Sequence, residues 1–240
     1  MSMHVQPLLA APNREGLLAR FPEQDLELMI CSAQDADHNL RAQMESVVVG
    51  HFARIYGASV SRFMPLLLGL RQQGQILAVV GLRPAGDEAL FLEQYLDEPV
   101  PQMISRRGLS APRETVIEVG NLVSTSPGLA RLLIVALTHY LHSGSFQWVA
   151  FTGTPALLNS FSRLTLSPID LGAADPARLG VSASEWGSYY DTHPHVMAGY
   201  IPEGFAQLCS KQIFQRLGYQ PHYQFPEQSH CEQESHYVCA

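Results

Sequence analysis

Apolar and polar positions alternate along Leu26-Glu27-Leu28-Met29-Ile30, the period of a half-buried strand. From Asn39 to Tyr56 the spacing turns helical, with Val47, Val48, Phe52, Ile55 and Tyr56 on one face, and Gly57 stands where a C-cap glycine ends such a helix. Pro65 to Leu70 and Ile76 to Leu82 are apolar runs joined by the polar turn Arg71-Gln72-Gln73-Gly74-Gln75, which predicts a β-hairpin. Ala89 to Leu96 reads as a strand or a short helix, closed by Pro99 and Pro101, and Gln102 to Arg107 as a brief helix. Thr115 to Val123 has the composition of a buried strand. The period then changes: Leu129, Leu132, Leu133, Ala136, Leu137, Tyr140 and Leu141 fall on one helical face, and Ser143-Gly144 ends it. Phe146 to Thr152 is the next strand, and Pro155 opens a helix through Leu164. This strand–helix–strand–helix run implies two parallel neighbours joined by a right-handed crossover.

Beyond it, Pro168 to Leu179 reads as loop and short strand. Glu185 to Tyr190 and Val196 to Ile201 are expected to complete the sheet, and Pro202 to Leu217 to form a last helix. Residues 1–24 are expected to be a loosely ordered lead-in, residues 25–220 one domain, and residues 221–240, poor in apolar side chains, a flexible tail.

Composition narrows the function. With 46% apolar and 15% charged residues the chain buries a sizeable core. A net charge of −7 and a single lysine, Lys211, argue against nucleic acid and against anionic lipid. The start of the chain has no secretory pattern and no run approaches the ~20 apolar residues of a membrane span, so a cytoplasmic protein without an integral membrane segment is expected. Cys31, Cys209, Cys231 and Cys239 lack CxxC spacing, and His193-Pro194-His195 has no nameable third ligand, so no metal is expected. The Walker loop, GxGxxG and GxSxG patterns are absent.

The most informative local feature is Ser124-Thr125-Ser126-Pro127-Gly128-Leu129-Ala130-Arg131, between a buried strand and a long helix. A helix N-terminus offers unpaired N–H groups and a positive dipole end to a phosphate. Gly128 allows close approach, the serines donate, and Arg131 adds charge. The plainer reading is that Ser126 caps the helix with Pro127 in its first turn and no ligand binds. The element order resembles a GNAT-type acyltransferase, in which this loop holds a pyrophosphate and the neighbouring strands splay around a thioester. The expected fold is therefore α/β (α+β), GNAT-like, a mixed and partly parallel sheet flanked by helices on both faces.

Several blocks resemble the thermostable hemolysin family: His51-Phe52-Ala53-Arg54-Ile55-Tyr56-Gly57-Ala58, Gly81-Leu82-Arg83-Pro84-Ala85, Leu90 to Leu96, Ile117-Glu118-Val119-Gly120-Asn121-Leu122, Trp148 to Thr152, Trp186-Gly187-Ser188-Tyr189-Tyr190 and Val196 to Gly199. The resemblance covers roughly residues 45–205. It implies a GNAT-like fold related to acyl-homoserine-lactone and N-acyl amino acid synthases. It also implies an N-acyltransferase moving an acyl group, long-chain in those relatives, from acyl-CoA or acyl-carrier protein to a small amine such as an amino acid. No permanently bound cofactor is implied. Glu118 matches the acidic hallmark of the strand before the loop; the arginine of that strand has no match, Gly120-Asn121 standing there instead. The alternatives are a hemolysin that damages membranes directly and a non-catalytic thioester-binding module.

Amide formation from a thioester needs a base for the amine and donors for the carbonyl oxygen. Glu118 is the candidate base, or else a structural carboxylate capping a neighbouring loop; Glu93 binds the amine, or is structural; Asn121 hydrogen-bonds the thioester. Donor binding falls to Leu122, Val123, Ser124, Ser126, Gly128, Leu129, Ala130, Arg131, Thr152 and Asn159. Tyr95, Thr154, Trp186, Tyr189 and Tyr190 are candidates for the acceptor site, the last three being equally readable as core aromatics.

Overall fold

The computed structural model describes residues 16–34 and 38–223. In chain order the regular elements are β1 Leu17–Phe21, β2 Leu26–Ser32, α1 His38–Tyr56, β3 Leu66–Gln72, β4 Gln75–Pro84, α2 Val100–Ser105 and β5 Val116–Ser124. There follow α3 Pro127–Ser143, β6 Trp148–Gly153, α4 Pro155–Arg163, β7 Ile169–Ala173, β8 His195–Tyr200, α5 Ile201–Ser210, α6 Ile213–Arg216 and β9 Gln220–Pro221. Among the described residues nine strands form one sheet in the order β7-β8-β6-β5-β4-β3-β2-β1-β9. Every pair is antiparallel except β5–β6, the pair that the strand–helix–strand pattern predicts to be parallel.

Alternation along the strands sends one set of side chains to each face. Leu68, Leu70, Ala78, Val80, Leu82 and Ile117 pack beneath α3 with Leu133, Leu137 and Leu141. On the opposite face Met29, Leu67 and Val79 meet Met44, Val48 and Phe52 of α1. Val116, Trp148, Ala150 and Ala198 lie against α2 and the turn before it. The mixed sheet thus carries helices on both faces. The hairpin turn Gln73-Gly74 has φ of 48° and 82°, the backbone that joins twisted strands most directly.

Four local expectations change. The lead-in does not run to residue 24, because Leu17, Leu18, Ala19 and Phe21 are buried in β1, paired with β2. Phe91–Tyr95 is a 3₁₀ turn, which settles the strand-or-helix ambiguity. Residues 185–190 are not a strand: Pro176–Trp186 and Tyr189–Thr192 are 3₁₀ turns that form a strap over the end of α1. The last helix breaks at Gln212, whose φ of 54° is left-handed, into α5 and α6. Residues 1–15 and 224–240, including most of the expected tail, lie outside the described residues.

The C-terminal elements are held by a largely half-buried aromatic cluster. The His139 ring meets Phe205, Phe214, Tyr219 and Tyr223, and its Nδ1 is hydrogen-bonded to the Tyr223 hydroxyl at 2.6 Å. Burial, with His142 nearby, lowers the His139 pKa to about 4. The unfolded chain therefore binds more protons below the ordinary histidine value, so this contribution to stability is full above pH ~6.5 and is lost as pH falls through ~4. His139→Leu should remove roughly 1–3 kcal/mol of the stability lost between pH ~6.5 and ~4, read from urea midpoints at successive pH values.

Candidate functional site

The ladder between β5 and β6 is short. It runs from Val116↔Trp148 to Val119↔Phe151, although β5 continues to Ser124 and β6 to Gly153. Beyond Val119 the facing main-chain edges of the two strands have no ladder between them. On its other side β5 carries a bulge: Gly81↔Gly120 is followed by Val79↔Val123, one extra residue on β5. Asn121 occupies it at a φ of 50°, its Oδ1 accepting from the Met64 N–H at 2.9 Å. The bulge bends β5 away from β6 and fixes the 57–65 loop to its rim.

A cavity of about 570 Å³ fills the gap and takes walls from both faces of the sheet. On one side lie Val119, Val149, Leu133, Leu137, Leu141 and Phe161, an apolar sleeve between the sheet and α3–α4. On the other, under α1 and the strap, are His51, Phe52, Tyr56, Phe91, Trp186 and Tyr189, mixed with Arg62, Arg83, Asn121 and Glu185. Side chains from opposite faces can border one space only where the strands have parted.

Glu118 sits at the neck of this space, 2% exposed. Oε2 accepts the Phe91 N–H at 2.9 Å and Oε1 the Leu92 N–H at 3.0 Å, with the Arg83 guanidinium 3.5 Å away. Burial pushes its carboxyl above the usual value, against the pull of the two amides and Arg83. Both oxygens are thus occupied in capping the 3₁₀ turn that presents Phe91 and Tyr95. Glu93 lies off the cavity wall. Its carboxylate accepts from the Leu90 and Val100 amides and pairs with Arg113 at 2.8 Å. Burial raises the Glu93 pKa, but Arg113 and the amides outweigh it and hold the group below the usual range.

The other predicted residues divide. Asn121, Leu122, Thr152, Thr154, Tyr95, Trp186 and Tyr189 line the cavity. Thr154 also caps α4, accepting the Leu157 N–H at 3.3 Å. Tyr190 stands behind the wall, its hydroxyl 2.6 Å from that of Tyr95. Val123 is buried in the core under α1, and Asn159 is exposed on α4. Ser124, Ser126, Gly128, Leu129, Ala130 and Arg131 lie beyond the lining, at the N-terminus of α3. There Ser126 Oγ accepts the Leu129 N–H at 3.4 Å and Ser124 donates to the Ser126 carbonyl at 2.9 Å. The Gly128 amide, second in the helix, has no intrahelical acceptor.

Among the wall residues that sequence reasoning passed over are His51, Arg62, Met64 and Arg83, together with the α3 sleeve. The helical stripe of Leu133, Leu137 and Leu141 was visible, but a stripe facing a cavity has the same spacing as one facing a core. Among the described residues no three metal-ligating side chains converge, and no helix is long and apolar enough to cross a membrane.

A family model described as thermostable hemolysin matches residues 34–205, more than half of the chain. The chain belongs to that family. Several solved structures share the fold of this thermostable hemolysin-family member. FeeM, an N-acyl amino acid synthase from uncultured soil microbes, has a TM-score of 0.55 at 15% identity, over 81% of this chain and 97% of FeeM. The acyl-homoserine lactone synthase BjaI, with SAM and isopentyl-CoA, has 0.51 at 12% identity, over 85% of this chain and 90% of BjaI. The AHL synthase LasI has 0.52 at 11% identity, over 73% of this chain and 90% of LasI. At such identities the likeness establishes a GNAT-like fold. No curated protein matches the sequence.

Proposed function

We propose that the protein is an N-acyltransferase that moves a long acyl chain from a thioester, acyl-CoA or acyl-carrier protein, to a small amine such as an amino acid. The observation that carries this reading is the cavity through the parted β5–β6 pair, apolar on one face and polar-aromatic on the other. A thioester fits such a gap because its pantetheine amides can pair with the free main-chain edges. The carbonyl then lies at the neck and the chain in the apolar sleeve. The fold is shared with proteins whose names are those of acyl-transferring synthases, which supports the same direction.

In this reading Gly128 and Arg131 receive the donor's phosphates, while Asn121, Leu122 and Thr152 border the thioester. Trp186, Tyr189 and Tyr95 wall the amine. Glu118 holds the turn carrying Phe91 and Tyr95, since each of its oxygens accepts an amide of that turn. Amide formation at the neck would expel the thiol towards the mouth by which it entered.

The test uses pure protein, palmitoyl-CoA and mixed amino acids and amines, following thiol release and new amides by mass spectrometry. Acceptor-dependent release is expected. A Cβ at Gly128 meets nothing closer than Ser126 Oγ at 3.7 Å, so Gly128→Val should fold normally and raise the donor KM. Leu137→Trp, which narrows the sleeve, should cut palmitoyl turnover about tenfold relative to octanoyl turnover. Lysis of red cells by the protein alone, without donor-dependent thiol release, would overturn the proposal.

A further inference from the structure

Transfer to an amine raises a question that Glu118 leaves open: an amine arrives at neutral pH as its ammonium form, and something must take the proton. Resting on the acyltransferase reading, the geometry points to His51 as the base that deprotonates the acceptor. His51 lies on α1, on the polar-aromatic wall of the cavity, half-buried next to Phe52. Among the described residues neither ring nitrogen has a hydrogen-bond partner, so one can accept from an incoming ligand.

The other titratable groups on that chamber are less suited. Each Glu118 oxygen already accepts a backbone amide, and Arg83 stands 3.5 Å from one of them, so a proton taken there would compete with the cap of the 3₁₀ turn. Arg62 and Arg83 offer N–H donors and no acceptor atom, and Tyr56, Tyr95 and Tyr189 are all pushed upward by burial, so no phenolate stands there at neutral pH. Glu185 is exposed on the strap, where water competes for its carboxylate. Burial, with Arg54 on the same helix, holds His51 below the ordinary histidine value, which leaves it neutral at pH 7.

The step balances as follows. His51 takes one proton from the ammonium, and the freed nitrogen lone pair forms the C–N bond at the thioester carbonyl. The C–S bond breaks, and the thiolate leaves with its electron pair and takes up the nitrogen's second surplus proton. The imidazolium returns its proton to water. One ammonium and one thioester give one amide, one thiol and one proton.

His51→Gln keeps the size and hydrogen-bonding of the side chain and removes the base. With palmitoyl-CoA and the amine that wild-type protein uses, its kcat should fall about 100-fold with little change in donor KM. Wild-type activity should level off once His51 is neutral, whereas the variant should show no such break and climb steadily with pH as the amine loses its proton unaided. Hydroxylamine is already unprotonated at neutral pH, so with it the variant should approach wild-type rates. Added imidazole should partly rescue His51→Ala with the ammonium acceptor.

Three outcomes would overturn the assignment. One is a profile in His51→Gln that levels off at the same pH as wild type. Another is equal losses with hydroxylamine and with the ammonium acceptor, which would mark a purely structural role. The third is wild-type protein that releases no thiol with any acceptor; this defeats the acyltransferase reading itself, whereas the first two defeat His51 alone.

Discussion

Glu118→Ala is expected to destabilise the protein by about 3–5 kcal/mol, a large part of the 5–15 kcal/mol that holds a typical domain together. The substitution removes the acceptor of two amides, that of buried Leu92 and that of half-buried Phe91, and leaves Arg83 with Glu88 alone as its partner. Each orphaned amide alone costs about 1–3 kcal/mol. The urea midpoint reads the global loss. Hydrogen exchange at Phe91 and Leu92 reads the local one, since these amides should become the fastest exchanging in the sheet's vicinity. Glu118→Gln should cost less, because its carbonyl oxygen still accepts one amide while its NH₂ confronts the other. The pH dependence has a definite sign. Because the folded carboxyl is raised, the folded state binds more protons above the ordinary carboxylate value, and this contribution declines as pH rises. The gap between wild type and Glu118→Gln should therefore narrow as pH rises above the ordinary carboxylate value. A constant gap would mean that Glu118 titrates as it does in water.

Gly187→Ala should release the strap over the polar-aromatic side of the cavity. Gly187 has φ of 54° and ψ of −130°, a region open almost only to glycine, and an added Cβ would stand 2.0 Å from the Tyr56 carbonyl oxygen. Ser188 N–H donates to that same carbonyl at 2.8 Å, and Ser59 N–H to the Glu185 carbonyl at 2.7 Å, so the strap cannot retreat without losing its ties to α1. The expected cost is about 3 kcal/mol, split between backbone strain and collision. Gly180→Ala is the control. Its φ and ψ are 58° and −130°, but nothing lies within 4 Å of its Cβ, so it should cost only the strain, about 1–2 kcal/mol. Of the two tryptophans, Trp148 is buried and Trp186 belongs to the strap. In a Trp148→Phe background, emission from Gly187→Ala should shift to the red and that from Gly180→Ala should not. Equal costs for the two alanines, with no red shift, would show that the strap tolerates displacement.

Sequence period by itself determined most of the architecture. The switch from alternation to 3.6-residue spacing at Leu129 and back at Phe146 marks β5–α3–β6, and the structure pairs those strands in parallel. Turn chemistry at Gln73-Gly74 and capping at Ser126-Pro127 are local enough to be read directly. Misreadings fell where local signals were weak or where tertiary context won. Leu17 to Phe21 is short and follows polar breaks, yet it becomes a strand because β2 offers it an edge. Trp186 to Tyr190 has the aromatic content of a strand, but Gly187 turns it into a strap tied to α1.

The site was legible only as a set of residues. That Glu118 is buried and acidic follows from its apolar neighbours, but its duty as a cap depends on a turn 26 residues earlier in the chain. Nothing in the local sequence tells that β5 leaves β6 after Val119, because the cause is a bulge set by pairing with β4. Only the tertiary structure decided that His51 and Leu141, on helices of opposite faces, border one cavity. Periodicity tells which side of an element is buried; it does not tell whether the space it faces is filled.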